Sequence, residues 1–344
     1  MEPVVQNDSH RQPDRSLLSH WMMYIKFMFL KVMINAFIAV MGYIRPPPPS
    51  VYPTLIVDDP SGPGLRHRIF VPRSHQPGHI HPVYFSVHAS GWFYGSPAID
   101  DEWCTTLADK FNYCVISLDH PKCPAATFPE HVRSLERSIL HILQTHTHSL
   151  PVDPEHIAVG GFSSGATLAL GVAQFTSLRD KIKACVAWSP VIDWSEPIAD
   201  KAVTRPYRNP KDSDVLIATG SIDIFRWAYL DVGQDLFDPM LDPRFAARDT
   251  LPKWIFIIAA EYDVLGSEAR DFALNLMKVE ENKDNRYECE TGSVKWKMIR
   301  GVEHGFTHRA LQKGDEEIQR AKIAHSTMDE MADWLNKGAF LGSG

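Results

Sequence analysis

The sequence predicts an α/β fold, a mostly parallel central sheet flanked by helices, with its reactive groups gathered at one edge. Three observations carry this. Apolar strand-like runs alternate with helical stretches from Leu65 to Ile299, and that alternation calls for parallel strands joined by helical crossovers. Gly161-Phe162-Ser163-Ser164-Gly165 follows the apolar run Ile157-Ala158-Val159 and opens the small-residue stretch Ala166-Thr167-Leu168-Ala169-Leu170, which puts a serine at a sharp strand-to-helix turn. An aspartate and a histidine then follow two later strands, in the chain order Ser, Asp, His.

The elements read in order. Residues 1 to about 16 are polar and expected to be disordered. Leu17 to Ile44 is strongly apolar and helical, ending at Arg45 and the breaker Pro46-Pro47-Pro48-Pro49. Leu65 to Val71 and Val83 to Val87 are strands, Asp100 to Phe111 a helix, Tyr113 to Leu118 a strand, and Glu130 to Thr145 a helix. Ile157 to Gly160 is the strand before the serine, and Lys183 to Trp188, Trp254 to Ala260 and Val294 to Ile299 continue the sheet. Between Trp194 and Leu251 the alternation breaks into aromatic, Pro-rich and Asp-rich sequence. The expected division is therefore an N-terminal tail and apolar helix over 1–50, then a catalytic domain over 51–344 with an insertion at about 195–250.

A serine hydroxyl is a weak nucleophile near neutral pH, so the turn requires a base and an acid that orients it. Asp263 stands just past the strand Trp254 to Ala260, where open α/β sheets gather their sites. His304 stands in the loop after Val294 to Ile299. Taken singly, Asp263 is also a reasonable helix N-cap and His304 a plain loop histidine. Their joint placement after successive strands points to a Ser163, Asp263, His304 triad. Gly161 and Gly165 are required because strand and helix backbones approach too closely there for a Cβ.

Upstream, the strand Pro82 to Val87 leads into His88-Ala89-Ser90-Gly91-Trp92. This segment resembles the His-Gly-Gly-Gly-Trp element of the hormone-sensitive-lipase-like branch of α/β-hydrolases, the fold-3 esterases. Asp263-Val264-Leu265 is similar to the family's Asp-x-Leu, and His304-Gly305-Phe306 matches its His-Gly-Phe. The resemblance, which runs from about Leu55 to the C-terminus, implies an α/β-hydrolase fold with an oxyanion hole built from the N–H groups of Ser90, Gly91 and Ser164. It also implies carboxylic ester hydrolysis, of short or medium acyl esters or small lactones, without a cofactor. Similar enzymes sometimes serve biosynthetic pathways of specialised, or secondary, metabolites.

The sequence departs from that pattern in three places. Ala89 and Ser90 stand where the family has glycines, which bears on the loop's conformation if a positive φ is needed there. Phe162 replaces a usually acidic residue before the serine and implies an altered wall beside it. Asp119 to Pro129 keeps only Phe128-Pro129 and a Pro-rich character of the family's corresponding loop. The insertion matches the family's cap by position, so Phe225, Trp227 and Tyr229, with Trp92 and Phe162, are the candidate substrate-binding residues. Cap core is the plainer reading for bulky aromatics. Two other functions use the same scaffold. A ligand-binding receptor would not need His304, whereas a condensation, cyclisation or acyl-transfer catalyst would need the same groups.

Composition sets the remaining bounds. The chain has 344 residues, 44% of them hydrophobic, enough for a sizeable core. Its net charge of −7 lacks the basic footprint of a nucleic-acid binder. Cys104, Cys114, Cys123, Cys185 and Cys289 are odd in number and lack Cys-x-x-Cys spacing, which fits a reducing, cytoplasmic compartment. The pairs His79/His81 and His146/His148 lack a clustered carboxylate or cysteine, so no metal site is expected. The helix 17–44 has two readings, part of a cap over the site or a membrane-associated helix. Lys26, Lys31 and Asn35 favour the cap, because polar groups are costly at a bilayer centre. The preceding segment is too long and too acidic for a signal peptide.

Overall fold

The computed structural model describes residues 16–146, 149–196, 198–204, 221–308 and 314–341. Residues 1–15, most of the segment read as disordered, lie outside these, as does His148.

Nine strands form one sheet: β1 (Leu55–Asp58), β2 (Arg66–Phe70), β3 (His81–Val87), β4 (Cys114–Leu118), β5 (Val152–Phe162), β6 (Ile182–Trp188), β7 (Trp254–Ala260), β8 (Glu288–Thr291) and β9 (Val294–Ile299). Their spatial order is β1-β2-β4-β3-β5-β6-β7-β9-β8. The six strands from β4 to β9 in that order pair in parallel, and β1, β2 and β8 pair antiparallel at the edges. The central strands are buried on both faces, so they are mostly apolar, with Ser117 in β4 and the half-buried Lys183 in β6 as exceptions.

Two apolar layers result, one on each face of the sheet, and successive residues divide between them. Ile255, Ile257 and Ala259 of β7 enter one layer, Phe256, Ile258 and Ala260 the other. The helices α2 (Asp101–Phe111) and α9 (Asp315–Lys337) cover the second face. The first carries α3 (Glu130–Thr145), α4 (Ser164–Val172) and α8 (Gly266–Met277). The short helices α5 (Thr176–Arg179), α6 (Ile198–Thr204) and α7 (Ser221–Tyr229) fall between α4 and α8. Helices α6 and α7 fall within the expected insertion, whose central part, 205–220, lies outside the described residues.

The apolar segment forms one 28-residue helix, α1 (Leu17–Ile44), whose first turn is capped by the Ser16 hydroxyl accepting from the Ser19 N–H at 3.2 Å. It lies on α7. Phe27 is fully buried, with its ring 5.1 Å from Phe93 and 5.9 Å from Trp227. Of the three polar residues that favour the cap, Lys31 and Asn35 face the protein and Lys26 is exposed. Lys31 Nζ donates to the Cys123 carbonyl at 2.6 Å, and Asn35 Oδ1 accepts from the Gly95 N–H at 3.1 Å. The opposite face is exposed and, apart from Lys26, mainly apolar, with Leu18, Trp21, Ile25, Phe29, Val32, Phe37 and Val40 each more than half accessible.

Candidate active site

In the parallel register, Val87 of β3 pairs with Gly161 of β5, and Phe162 with Trp188 of β6, so these strands end level with one another. Loops carrying the chemistry therefore leave the sheet side by side. Ser163 caps β5 with φ 53° and ψ −122°, a left-handed conformation that costs about 1–3 kcal/mol for a residue with a side chain. The surroundings enforce it. A Cβ at Gly161 or at Gly165 would collide with the Val87 carbonyl oxygen, so only glycine allows β5 and α4 to meet at this angle. The Ser163 N–H donates to the Trp188 carbonyl at 2.8 Å, tying the turn to β6.

The other two candidates converge on it. Ser163 Oγ lies 2.9 Å from His304 Nε2, and His304 Nδ1 lies 2.7 Å from Asp263 Oδ2. A buried carboxylate only accepts, so the imidazole proton sits on Nδ1 and Nε2 is left to accept from the serine hydroxyl. Asp263 Oδ1 accepts from the Leu265 N–H at 3.0 Å in the turn that opens α8. Asp263 is not the helix N-cap, which is Leu265; one of its oxygens holds the turn before the helix and the other the histidine. Glu261, two residues earlier, is engaged elsewhere, accepting from Tyr287 Oη at 3.1 Å and the Gly301 N–H at 2.8 Å.

The loop after β3 takes its positive φ values at Gly91 (50°) and Trp92 (66°), and not at Ala89 or Ser90. The missing glycines therefore cause no strain. One expected donor is already engaged, because the Ser90 N–H donates to Ser164 Oγ at 3.1 Å. Its use as a direct oxyanion donor requires that bond to open. The Gly91 and Ser164 N–H groups have no acceptor among the described residues, and Gly91 borders the cavity over Ser163.

That cavity has a volume of about 280 Å³, and its lining is mainly apolar and aromatic. Trp92, Phe162 and Phe225, three of the candidate substrate-binding residues, line it. Trp227 and Tyr229 are corrections. Trp227 stands about 200° around α7 from Phe225 and packs on α1, its ring 5.2 Å from His20 and 6.4 Å from Tyr24. Tyr229 lies one turn beyond Phe225 and stacks behind Trp92 at 4.6 Å, buried in the core. The wall also contains residues that sequence reasoning missed, among them Tyr94, Val191, Trp194 and His308. His308 Nε2 lies 2.9 Å from Asp100 Oδ1, and its ring lies edge-on to Phe162 at 4.6 Å. Nothing in the sequence around His308 signals this position.

Beside the cavity, Glu268 accepts through Oε1 from the N–H groups of Ile192 and Asp193, at 2.7 and 3.3 Å, fixing the wall that follows β6. Burial pushes its carboxyl up to about 7, opposed by the Lys201 ammonium paired with it.

Residues 83–308 match the family profile of the alpha/beta hydrolase fold. Neutral cholesterol ester hydrolase 1 of Mus musculus is 29% identical over 166 residues, which cover 45% of this chain and 40% of that protein. An arylesterase of Saccharolobus solfataricus is 27% identical over 193 residues, 56% of this chain and 60% of that protein. The matched stretches thus span about half the length of these curated relatives. In structure, the thermophilic and thermostable carboxylesterase EstE1, cloned from a metagenomic library, superposes with a TM-score of 0.70 at 21% identity, covering 91% of this chain and 97% of that one. The profile takes in the serine turn, the loop after β3, and the aspartate and histidine that meet Ser163, and the backbone agrees over nearly the whole chain: the chain belongs to the alpha/beta hydrolase fold-3 family.

Proposed function

We propose that this chain is a serine hydrolase of carboxylic esters or small lactones. The observation that carries this reading is the hydrogen-bonded line Asp263, His304, Ser163 opening into a mainly apolar cavity. His304 takes the Ser163 proton as Oγ attacks the ester carbonyl carbon. Asp263 holds the imidazole in position and stabilises its charged form, while the N–H groups of Gly91 and Ser164 stabilise the oxyanion. The histidine then gives its proton to the leaving alkoxide. Water, activated by the same histidine, hydrolyses the acyl-enzyme and restores Ser163. A fluorophosphonate probe followed by intact-protein and peptide mass analysis tests it: one adduct on Ser163 is expected, blocked by preincubation with a substrate ester. Absence of labelling in folded, assay-competent protein would overturn the reading.

Helix α1 supports a second statement, about where the enzyme works. It is a cap helix whose inner face covers the α7 side of the cavity and whose outer face inserts into a lipid interface. The support is its polarity: Lys31 and Asn35 are spent on the protein, and the solvent side is mainly apolar, with Lys26 the charged residue on it between Leu17 and Ile44. The cost of Lys31 and Asn35 in a bilayer does not arise when they face inward, and the long stem of Lys26 lets its ammonium reach the headgroup region.

A further inference from the structure

The resting position of the loop after β3 depends on a closed set of buried hydroxyl and imidazole hydrogen bonds that no glycine-built loop would contain. His120 Nδ1 lies 2.8 Å from the Pro121 carbonyl, which can only accept, so Nδ1 carries the proton and Nε2 is an acceptor. Ser90 Oγ, 3.1 Å from Nε2, therefore donates to it. The Ser90 oxygen in turn accepts from the Trp92 N–H at 3.1 Å and from the Ser164 hydroxyl at 3.1 Å. Ser164 Oγ closes the ring by accepting the Ser90 N–H, also at 3.1 Å. Each proton in the cluster has one acceptor. Ser90, Ser164 and His120 are fully buried.

The cluster spans the two elements whose spacing decides whether an oxyanion is held. Ser164 is the first residue of α4 and follows the nucleophile, and Ser90 precedes Gly91 and Trp92, both of which take positive φ. Resting on the serine-hydrolase reading above, we propose that Ser164 and Ser90, through their hydroxyls, and His120 are positioning residues. They clamp the loop to the nucleophile turn so that the Gly91 and Ser164 N–H groups point at one site. The Ser90 N–H, expected from resemblance to face the oxyanion, belongs to the clamp. His120 reaches the site from the loop after β4 and is locked by a stacked His88 ring at 4.8 Å, so the imidazole anchors the chain of bonds to the sheet. Burial holds His120 well below its ordinary histidine range, which keeps Nε2 available as an acceptor across the working pH.

The test uses the 344-residue chain and three variants, Ser164→Ala, Ser90→Ala and His120→Leu, with His120→Gln as the conservative control. A direct oxyanion donor is worth about 10²- to 10³-fold in kcat, and a residue that aims the donors is expected to cost roughly 10- to 100-fold. The loss should fall in kcat with KM nearly unchanged, and the inhibition constant of a trifluoromethyl ketone analogue should rise in parallel. His120→Gln, whose amide oxygen can accept from Ser90, should recover most of the loss seen in His120→Leu. Ser90→Ala keeps every backbone donor and answers the question if Ser164→Ala fails to fold. If Ser163 is labelled by the fluorophosphonate probe but folded Ser164→Ala and Ser90→Ala turn over like wild type, the clamp is wrong and the hydrolase reading stands. A rise in kcat in Ser164→Ala would also overturn it, by showing that Ser164 withholds the Ser90 donor. If Ser163 is not labelled in the wild type, both fall.

Discussion

Lys31 Nζ reaches the Cys123 carbonyl, 92 residues further along the chain, at 2.6 Å. The contact fixes the rotation of α1 and thereby decides which of its faces meets the outside. Trp21→Glu with Phe29→Glu should abolish co-flotation with phosphatidylcholine vesicles and leave kcat on a water-soluble ester close to wild type, since both side chains are exposed. Full co-flotation of that double variant would show that the outer face is not what binds lipid.

Removing the nucleophile or the base disables the unit as a whole. Ser163→Ala and His304→Ala should each lower kcat on an activated ester by at least about 10³-fold, and Asp263→Asn by roughly 10²- to 10⁴-fold, with circular dichroism unchanged. Steady-state kinetics on purified variants decide this. If Asp263→Asn retained activity while a neighbour such as Asp193, Asp223 or Glu261 proved indispensable, the acid would have to be reassigned.

Phe225 and Trp227 stand two residues apart on α7 and should behave differently. Phe225→Ala enlarges the cavity, so kcat/KM for p-nitrophenyl esters should shift toward longer chains, roughly 10-fold for a well-filled extra methylene. Trp227→Ala removes a ring that packs on α1 and should loosen that helix, read as faster proteolysis between 17 and 44, without a comparable shift in chain preference. Equal shifts in chain preference from both would place Trp227 in the cavity after all.

Stability should fall on the acid side in two stages. Burial, countered by hydrogen bonds and ion pairs, leaves Asp119 beside His88 and Lys122, and Asp59 beside His67 and Ser138, both below their ordinary value of 3.8. Burial also lowers His120 from 6.5, and His131 to about 4. For these four groups the unfolded chain binds its proton at higher pH than the folded one, so their contribution is full above about pH 6.5, declines as the histidines of the unfolded chain protonate, and declines again below about pH 4; Glu268, raised from 4.5 to about 7 by burial, has the opposite sign and offsets part of the first decline. Thermal melts from pH 8 to pH 3 measure the curve. Asp119→Asn should flatten its lower limb; an unchanged slope there would remove Asp119 from the account.

How much of this was legible follows from where each residue's constraint originates. Ser163, Asp263 and His304 were readable because each stands just past a continuous apolar strand, and a buried parallel strand writes itself plainly in sequence. Strands β1 and β8 went unread. They are four-residue edge strands largely open to solvent, and Glu288 and Glu290 give β8 no apolar alternation. Strand β5 begins at Val152, five residues before the apolar run, because Asp153-Pro154-Glu155-His156 obscures its start. The roles of Lys31, Asn35 and Trp227 depend on what lies across from them, which local pattern does not encode. The engagement of the Ser90 N–H required the position of a hydroxyl 74 residues away.

The carbonyl of Val87 is the atom that Gly161 and Gly165 both press against, and Val87 is joined directly to the loop that carries Gly91. Attacking oxygen and receiving donors are therefore referenced to a single covalent landmark at the end of β3, and a displacement of that strand carries both together. The walls contributed by α7 and the segment after β6 hang from other parts of the chain. Evolution or design can rewrite those walls for a new substrate while the distance that governs bond formation stays as it was.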